Sequence, residues 1–130
     1  MGDIVAKLLE KKKLKYNHVN ADGNNALIIL CYNEMTDLAA TMLLKYRDLD
    51  YNHVNSFKDT AIHIACNKNF VNIARLLLEI PNLHYNIKDE FGNTPFMLAC
   101  KHSCTNENVN LEDGNNTIVK LLLTNNNINY

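Results

Sequence analysis

Apolar positions fall in two kinds of short block, separated by polar turns, and the two kinds alternate along the chain. One kind reads Ala26-Leu27-Ile28-Ile29-Leu30-Cys31, Ala61-Ile62-His63-Ile64-Ala65-Cys66 and Pro95-Phe96-Met97-Leu98-Ala99-Cys100. Each is long enough for one short helix. Thr60 and Thr94 precede two of them and suit an N-cap, where the hydroxyl accepts a free backbone N–H. Pro95 then takes the favoured first helical position. The other kind begins at Ile4, Leu38, Ile73 and Ile118 and ends on a leucine pair or triplet. Its apolar residues at i, i+4 and i+5 turn one helical face inward. The pattern predicts pairs of short helices. Asn69 lies at the turn between two of them and tolerates a left-handed backbone.

The pairs recur at a fixed period. Leu14-Lys15-Tyr16-Asn17, Leu49-Asp50-Tyr51-Asn52, Leu83-His84-Tyr85-Asn86 and the truncated Ile128-Asn129-Tyr130 place tyrosines 35, 34 and 45 residues apart. Such a period is the mark of one supersecondary unit stacked on copies of itself, because a single unit cannot bury its apolar face alone. The expected fold is an all-α solenoid in one domain. It comprises a partial unit over residues 1–17, units over 18–52 and 53–86, and a last unit over 87–130.

On these residues the chain resembles the ankyrin repeat. Thr60-Ala61-Ile62-His63-Ile64-Ala65 and Thr94-Pro95-Phe96-Met97-Leu98-Ala99 look like its Thr-Pro-Leu-His-x-Ala box. The leucine pairs look like its second helix. Asn20/Gly23, Asn55/Lys58 and Asp89/Gly92 match the ends of its Asp-x-x-Gly turn. The resemblance spans the chain and recurs in phase. It implies helix-turn-helix units joined by β-hairpin-like loops, about three of them full. A tetratricopeptide array shares the period but has two longer helices and no glycine turn before Thr-Pro.

Several residues depart from that pattern. Lys58 stands where the family has glycine, so a positive φ there costs on the order of 1 kcal/mol. Ile28 stands in place of the box histidine and removes a polar link. The first unit has no first helix, and Asp3 caps its second. That edge reads equally as a cap, as a cut from a longer array or as a self-associating surface. The last unit carries about eleven extra polar residues within 103–116, and insertions in such arrays map to loops. They read as a tolerated loop or as a contact loop.

Composition narrows the function. A net charge of −1 argues against nucleic-acid and membrane surfaces, which need clustered Lys and Arg. The one basic run, Lys11-Lys12-Lys13, suits a helix C-terminus. Apolar runs stay short of the roughly 18–20 residues that span a bilayer. Asparagine makes up 22 of 130 residues and gathers at turn positions. This bias is similar to that of repeat proteins from giant DNA viruses or AT-rich protists. The chain opens on repeats with no signal peptide, so the expectation is a reduced intracellular protein, cytoplasmic or nuclear.

Candidate chemistry is thin. Cys100-Lys101-His102-Ser103-Cys104 is a single cluster, whereas zinc takes four ligands, usually from paired clusters. Cys31, Cys66 and Cys100 share one position in three units, which is a packing signature. No metal and no cofactor is expected. His63 follows Thr60 by one helical turn, and by resemblance the two link neighbouring repeats. A catalytic base would need a nucleophile and a pocket, and the sequence offers neither. His18, His53 and His84 read as loop surface. The expectation is no enzyme.

The resemblance implies a protein-interaction module that meets its partner with hairpin tips and the concave face of the first helices. The tips are Ala21 and Asp22, Ser56 and Phe57, and Glu90 and Phe91. The residues after the turns are Asn24, Asp59 and Asn93. The first-helix ends are Tyr32 and Asn33, Asn67 and Lys68, and Lys101 and His102. Phe57 and Phe91 are the expected anchors, as an equivalent pair of exposed aromatics one repeat apart. Asn17, Asn52 and Asn86 match the family asparagine that hydroxylases modify, and each should bond loop backbone. The alternative is a structural or self-associating segment, a monomer or weak associate through its terminal repeats. A substrate-recruiting part of a ubiquitin-ligase adaptor is a third class, for which the residues show no tail.

Overall fold

The computed structural model describes residues 17–46, 49–104 and 117–124. Among the described residues, six helices run in pairs: α1 (Ala26–Tyr32) with α2 (Thr36–Lys45), α3 (Ala61–Lys68) with α4 (Val71–Leu78), and α5 (Pro95–Cys104) with α6 (Thr117–Leu123). First helices stack in the row α1, α3, α5, and second helices in the row α2, α4, α6. The result is the expected all-α repeat solenoid. The helix over Ile4–Leu9 with its Asp3 cap, most of the 103–116 insertion and the Ile128-Asn129-Tyr130 copy lie outside the described residues.

Three loops with the same bonding set the repeat. In each, one residue closes the turn twice over. Asn20 Oδ1 accepts the N–H groups of Asp22 and Asn24, both at 3.0 Å. Asn55 Oδ1 accepts those of Phe57 and Asp59, both at 2.9 Å. Asp89 Oδ1 accepts those of Phe91 (3.0 Å) and Asn93 (2.8 Å). Asx side chains suit this role because they mimic a backbone turn. Three residues on, the backbone is left-handed: Gly23 at φ +76°, Lys58 at +62° and Gly92 at +80°. Lys58 therefore does hold the strained conformation that the family gives to glycine. A narrow backbone pair closes each turn, such as Asn55 N–H to Asp59 O at 3.0 Å. The loops are hairpin-like in that sense, with no strand among the described residues.

The helices begin and end as their sequences dictate. Thr60 and His63 form a reciprocal capping box at the start of α3. The Met97 N–H donates to Thr94 Oγ1 at 3.3 Å. The inter-helix turns close with a left-handed residue followed by an apolar one. Phe70 N–H reaches Ala65 O at 2.8 Å past Asn69 (φ +59°), and Met35 N–H reaches Leu30 O at 2.9 Å past Glu34 (φ +60°). Asn69 matches its expected role, whereas Glu34 bears the same conformation without asparagine's tolerance.

The core runs along the inside of both rows. Leu27, Ile28, Met42, Ile62, Ile73, Leu77, Ile118 and Leu122 are fully buried. Six consecutive residues of α3, Ala61 to Cys66, are buried, because that helix has a neighbour on each side and another behind. Cys31 and Cys66 lie in this core. Burial pushes the Cys31 thiol up to about 12, opposed in part by Lys68, and raises the Cys66 thiol further. Both stay protonated, as packing residues.

Candidate partner-binding surface

The side chains that carry the inter-repeat joints also shape the exposed face. His63 occupies the joint between the last two described units. Its Nε2 lies 2.7 Å from Ile87 O and 3.2 Å from Asn93 O, while Nδ1 receives the Thr60 N–H at 3.2 Å. Nε2 therefore carries the proton. Burial lowers the His63 pKa below its ordinary value, against the raising pull of these carbonyls.

The joint one unit earlier lacks that histidine, and the link expected to be lost is replaced. Asn25 caps α1 by accepting the Ile28 N–H at 3.0 Å, and its Nδ2 donates to Asp50 O at 3.2 Å at the end of the same unit. His53 supplies the tie across to the next unit, its Nε2 against Gly23 O. His53 is thus a half-buried joint residue and not the loop-surface histidine that its sequence position suggested, whereas His18 and His84 are exposed. Asn17 and Asn52 bond forward in the same manner, accepting the backbone N–H groups of Asp50 (2.8 Å) and His84 (2.7 Å).

Against this frame lies a groove of about 250 Å³ between α1, α3, α5 and the third turn. It gathers seven residues expected to meet a partner. Tyr32, Asp59, Asn67 and Lys68 line one side, with Glu90, Phe91 and Asn93 on the other. Tyr32 is the pivot of its wall. Its hydroxyl donates to Asp59 Oδ2 at 2.9 Å and accepts from Asn55 Nδ2 at 3.0 Å. Burial pushes the phenol up to about 12; the bond to Asp59 adds to the rise, and the bond from Asn55 opposes it. Lys68 Nζ donates to Tyr32 O at 2.9 Å and lies 3.9 Å from Glu34 Oε1.

The two tip aromatics differ. Phe91 is 81% exposed and stands at the groove, whereas Phe57 is 46% exposed and does not line it. Ala21, Asp22 and Ser56 are exposed at the other tips, and Asn33 and Lys101 at helix ends, away from the groove lining. Asn24 is not part of the exposed surface: it is buried, with its Oδ1 taken by Asn55 Nδ2 at 2.9 Å. The residue after the turn points inward there because the neighbouring turn supplies a donor. The His102 side chain lies outside the description. Sequence reasoning missed Ile64, Leu98 and Asp89 as groove residues. Ile64 and Leu98 read as pure core in the box pattern, and Asp89 as a turn residue alone.

No group of three or more His, Cys, Asp or Glu side chains among the described residues is placed to hold a metal ion. No described helix is long and apolar enough to cross a membrane.

The family model for ankyrin repeats in three copies matches residues 1–89 and again 39–130, which together cover the chain. No curated protein matches the chain as a relative.

Proposed function

From the premise that the chain belongs to the ankyrin-repeat family, whose members generally serve protein–protein interaction, we propose that it binds a partner protein in the groove beside Phe91 and has no catalytic role. The carrying observation is the exposure of Phe91, 81%, at the edge of a groove that gathers residues from three successive units. An exposed aromatic beside a partly apolar hollow is the usual anchor of an interface. The groove walls are held by inter-repeat bonds, so the surface is formed before binding and costs little to order. Cys31 and Cys66, buried as free thiols, support a reducing cytoplasmic or nuclear setting.

The test is affinity capture from host lysate with mass spectrometry, followed by titration of the purified prey. Phe91→Ala should weaken that titration by at least about tenfold, the scale of a 1.4 kcal/mol hot spot. Phe57→Ala should weaken it less. A prey that binds both variants as tightly as the native chain would sink the proposal. Concentration-dependent association in sedimentation with no prey would favour a self-associating segment. Asn17, Asn52 and Asn86 are candidate hydroxylation sites; intact mass after co-expression with an asparaginyl hydroxylase, with no added oxygen, would remove them.

A further inference from the structure

The groove has a chemical sign, and this inference rests on reading it as the partner site. Three carboxylates, Asp59, Asp89 and Glu90, line it against one ammonium, Lys68. That ammonium is already engaged by Tyr32 O at 2.9 Å and stands 3.9 Å from the Glu34 carboxylate. Asp59 and Asp89 accept hydrogen bonds from neutral donors, the Tyr32 hydroxyl and the Phe91 and Asn93 N–H groups. Such bonds hold a carboxylate in place without cancelling its charge. Glu90 is exposed beside them. The imidazole of His63 contributes no positive charge, since its Nε2 proton is aimed at Ile87 O and its Nδ1 is an acceptor.

The same hollow has an aromatic edge and an apolar floor. The Phe91 ring is largely free, and an aromatic face attracts a guanidinium or ammonium placed over it. Ile64 and Leu98 lie beneath. At about 250 Å³ the space falls below the roughly 300–1,000 Å³ of small-molecule pockets, so it fits one or two side chains better than a cofactor.

We propose that the partner presents a peptide segment whose arginine or lysine sits between Phe91 and the carboxylates of Asp59 and Glu90, with a neighbouring apolar side chain on Ile64 and Leu98. An acidic or phosphorylated segment would face uncompensated carboxylates and is rejected by the same charges.

The test pans a displayed random 12-residue peptide library against the full native chain, then measures the enriched peptides on purified variants. Glu90→Gln changes an exposed charge alone. Asp59→Asn keeps an oxygen for the Tyr32 hydroxyl. Thermal melts check that both variants fold. Enriched peptides should carry Arg or Lys beside an apolar residue, bind about threefold to tenfold more weakly to Glu90→Gln, and weaken with salt. Amide shifts on binding should centre on Asn67 and on residues 90–93. Peptides without a basic residue that lose binding to Phe91→Ala would overturn the charge assignment and leave the groove as the partner site. Basic peptides indifferent to Glu90→Gln, Asp59→Asn and Phe91→Ala would overturn both readings. Absence of any enriched peptide would count against the cationic segment.

Discussion

His63 donates its Nε2 proton to the carbonyl oxygen of Ile87 at 2.7 Å, across a separation of 24 positions in the chain. The bond ties one repeat to the next and fixes the imidazole as the neutral tautomer, since Thr60 N–H occupies Nδ1. Burial depresses the folded pKa below the ordinary 6.5. A depressed folded pKa contributes stability that is present above the unfolded pKa and is lost as pH falls toward the folded one.

Urea unfolding at pH 7.5 and 5.5 tests this directly. The native chain should lose up to ~1.4 kcal/mol through this histidine over that interval, as the unfolded state takes the proton alone. His63→Ile, which copies Ile28 of the preceding unit, should start less stable and lose correspondingly less on acidification. Equal losses for native and variant chains would show that His63 is not the group that stays neutral on folding.

The turn position three residues after Asn20, Asn55 and Asp89 gives a graded series. Lys58 sits at φ +62°, and Lys58→Gly should raise stability by about 0.5–1 kcal/mol, relief of backbone strain outweighing the added freedom of the unfolded chain. Gly92→Ala should lower it by on the order of 1 kcal/mol through φ alone, because a Cβ there meets nothing within 4 Å. Gly23→Ala should cost more, since its Cβ would lie 3.0 Å from the Ser56 backbone nitrogen. Melting temperatures in any other order would contradict the shared turn geometry.

Cys31 and Cys66 should resist alkylation. Their thiols are raised by burial and offer almost no thiolate at pH 8, and the surrounding core blocks reagents. Peptide mapping after brief iodoacetamide treatment should find both unmodified in the folded chain and fully modified in guanidinium. Rapid labelling of Cys31 in the folded chain would mean that α1 does not pack on α3 as described.

The repeat architecture was legible because it depends on features that sequence repeats: the tyrosine period, the Asx turn residues and the leucine pairs. Thr60 and Thr94 announced their caps, and Lys58 announced its strain. The joint through His53 was not legible. Asn25 and His53 divide between them the cap and the inter-unit tie that Thr60 and His63 make one unit later, and such substitution preserves geometry without preserving residue type. Asn24 misled for a related reason. Its inward turn depends on a donor from Asn55, 31 positions away, which no local pattern reveals. Phe91 and Phe57 are equivalent in sequence yet unequal in exposure, because neighbours in space decide how much of a tip is covered.

Asn55 supplies the last prediction. Its Oδ1 closes the turn as Asp89 Oδ1 does in the next unit, but its Nδ2 also donates to Asn24 Oδ1 at 2.9 Å and to the Tyr32 hydroxyl at 3.0 Å. Asn55→Asp keeps the turn and removes both donors. It leaves the buried Asn24 oxygen facing a carboxylate and adds a second negative charge near Asp59. The cost should be about 1–3 kcal/mol at pH 7, the scale of a buried acceptor left unsatisfied. Asp89→Asn, which retains the acceptor oxygen, should change stability less. The variants are isosteric, so chemical denaturation separates the lost amide donors from any change of shape. Equal stability of the Asn55→Asp and native chains would show that the amide contributes nothing to the joint between these turns.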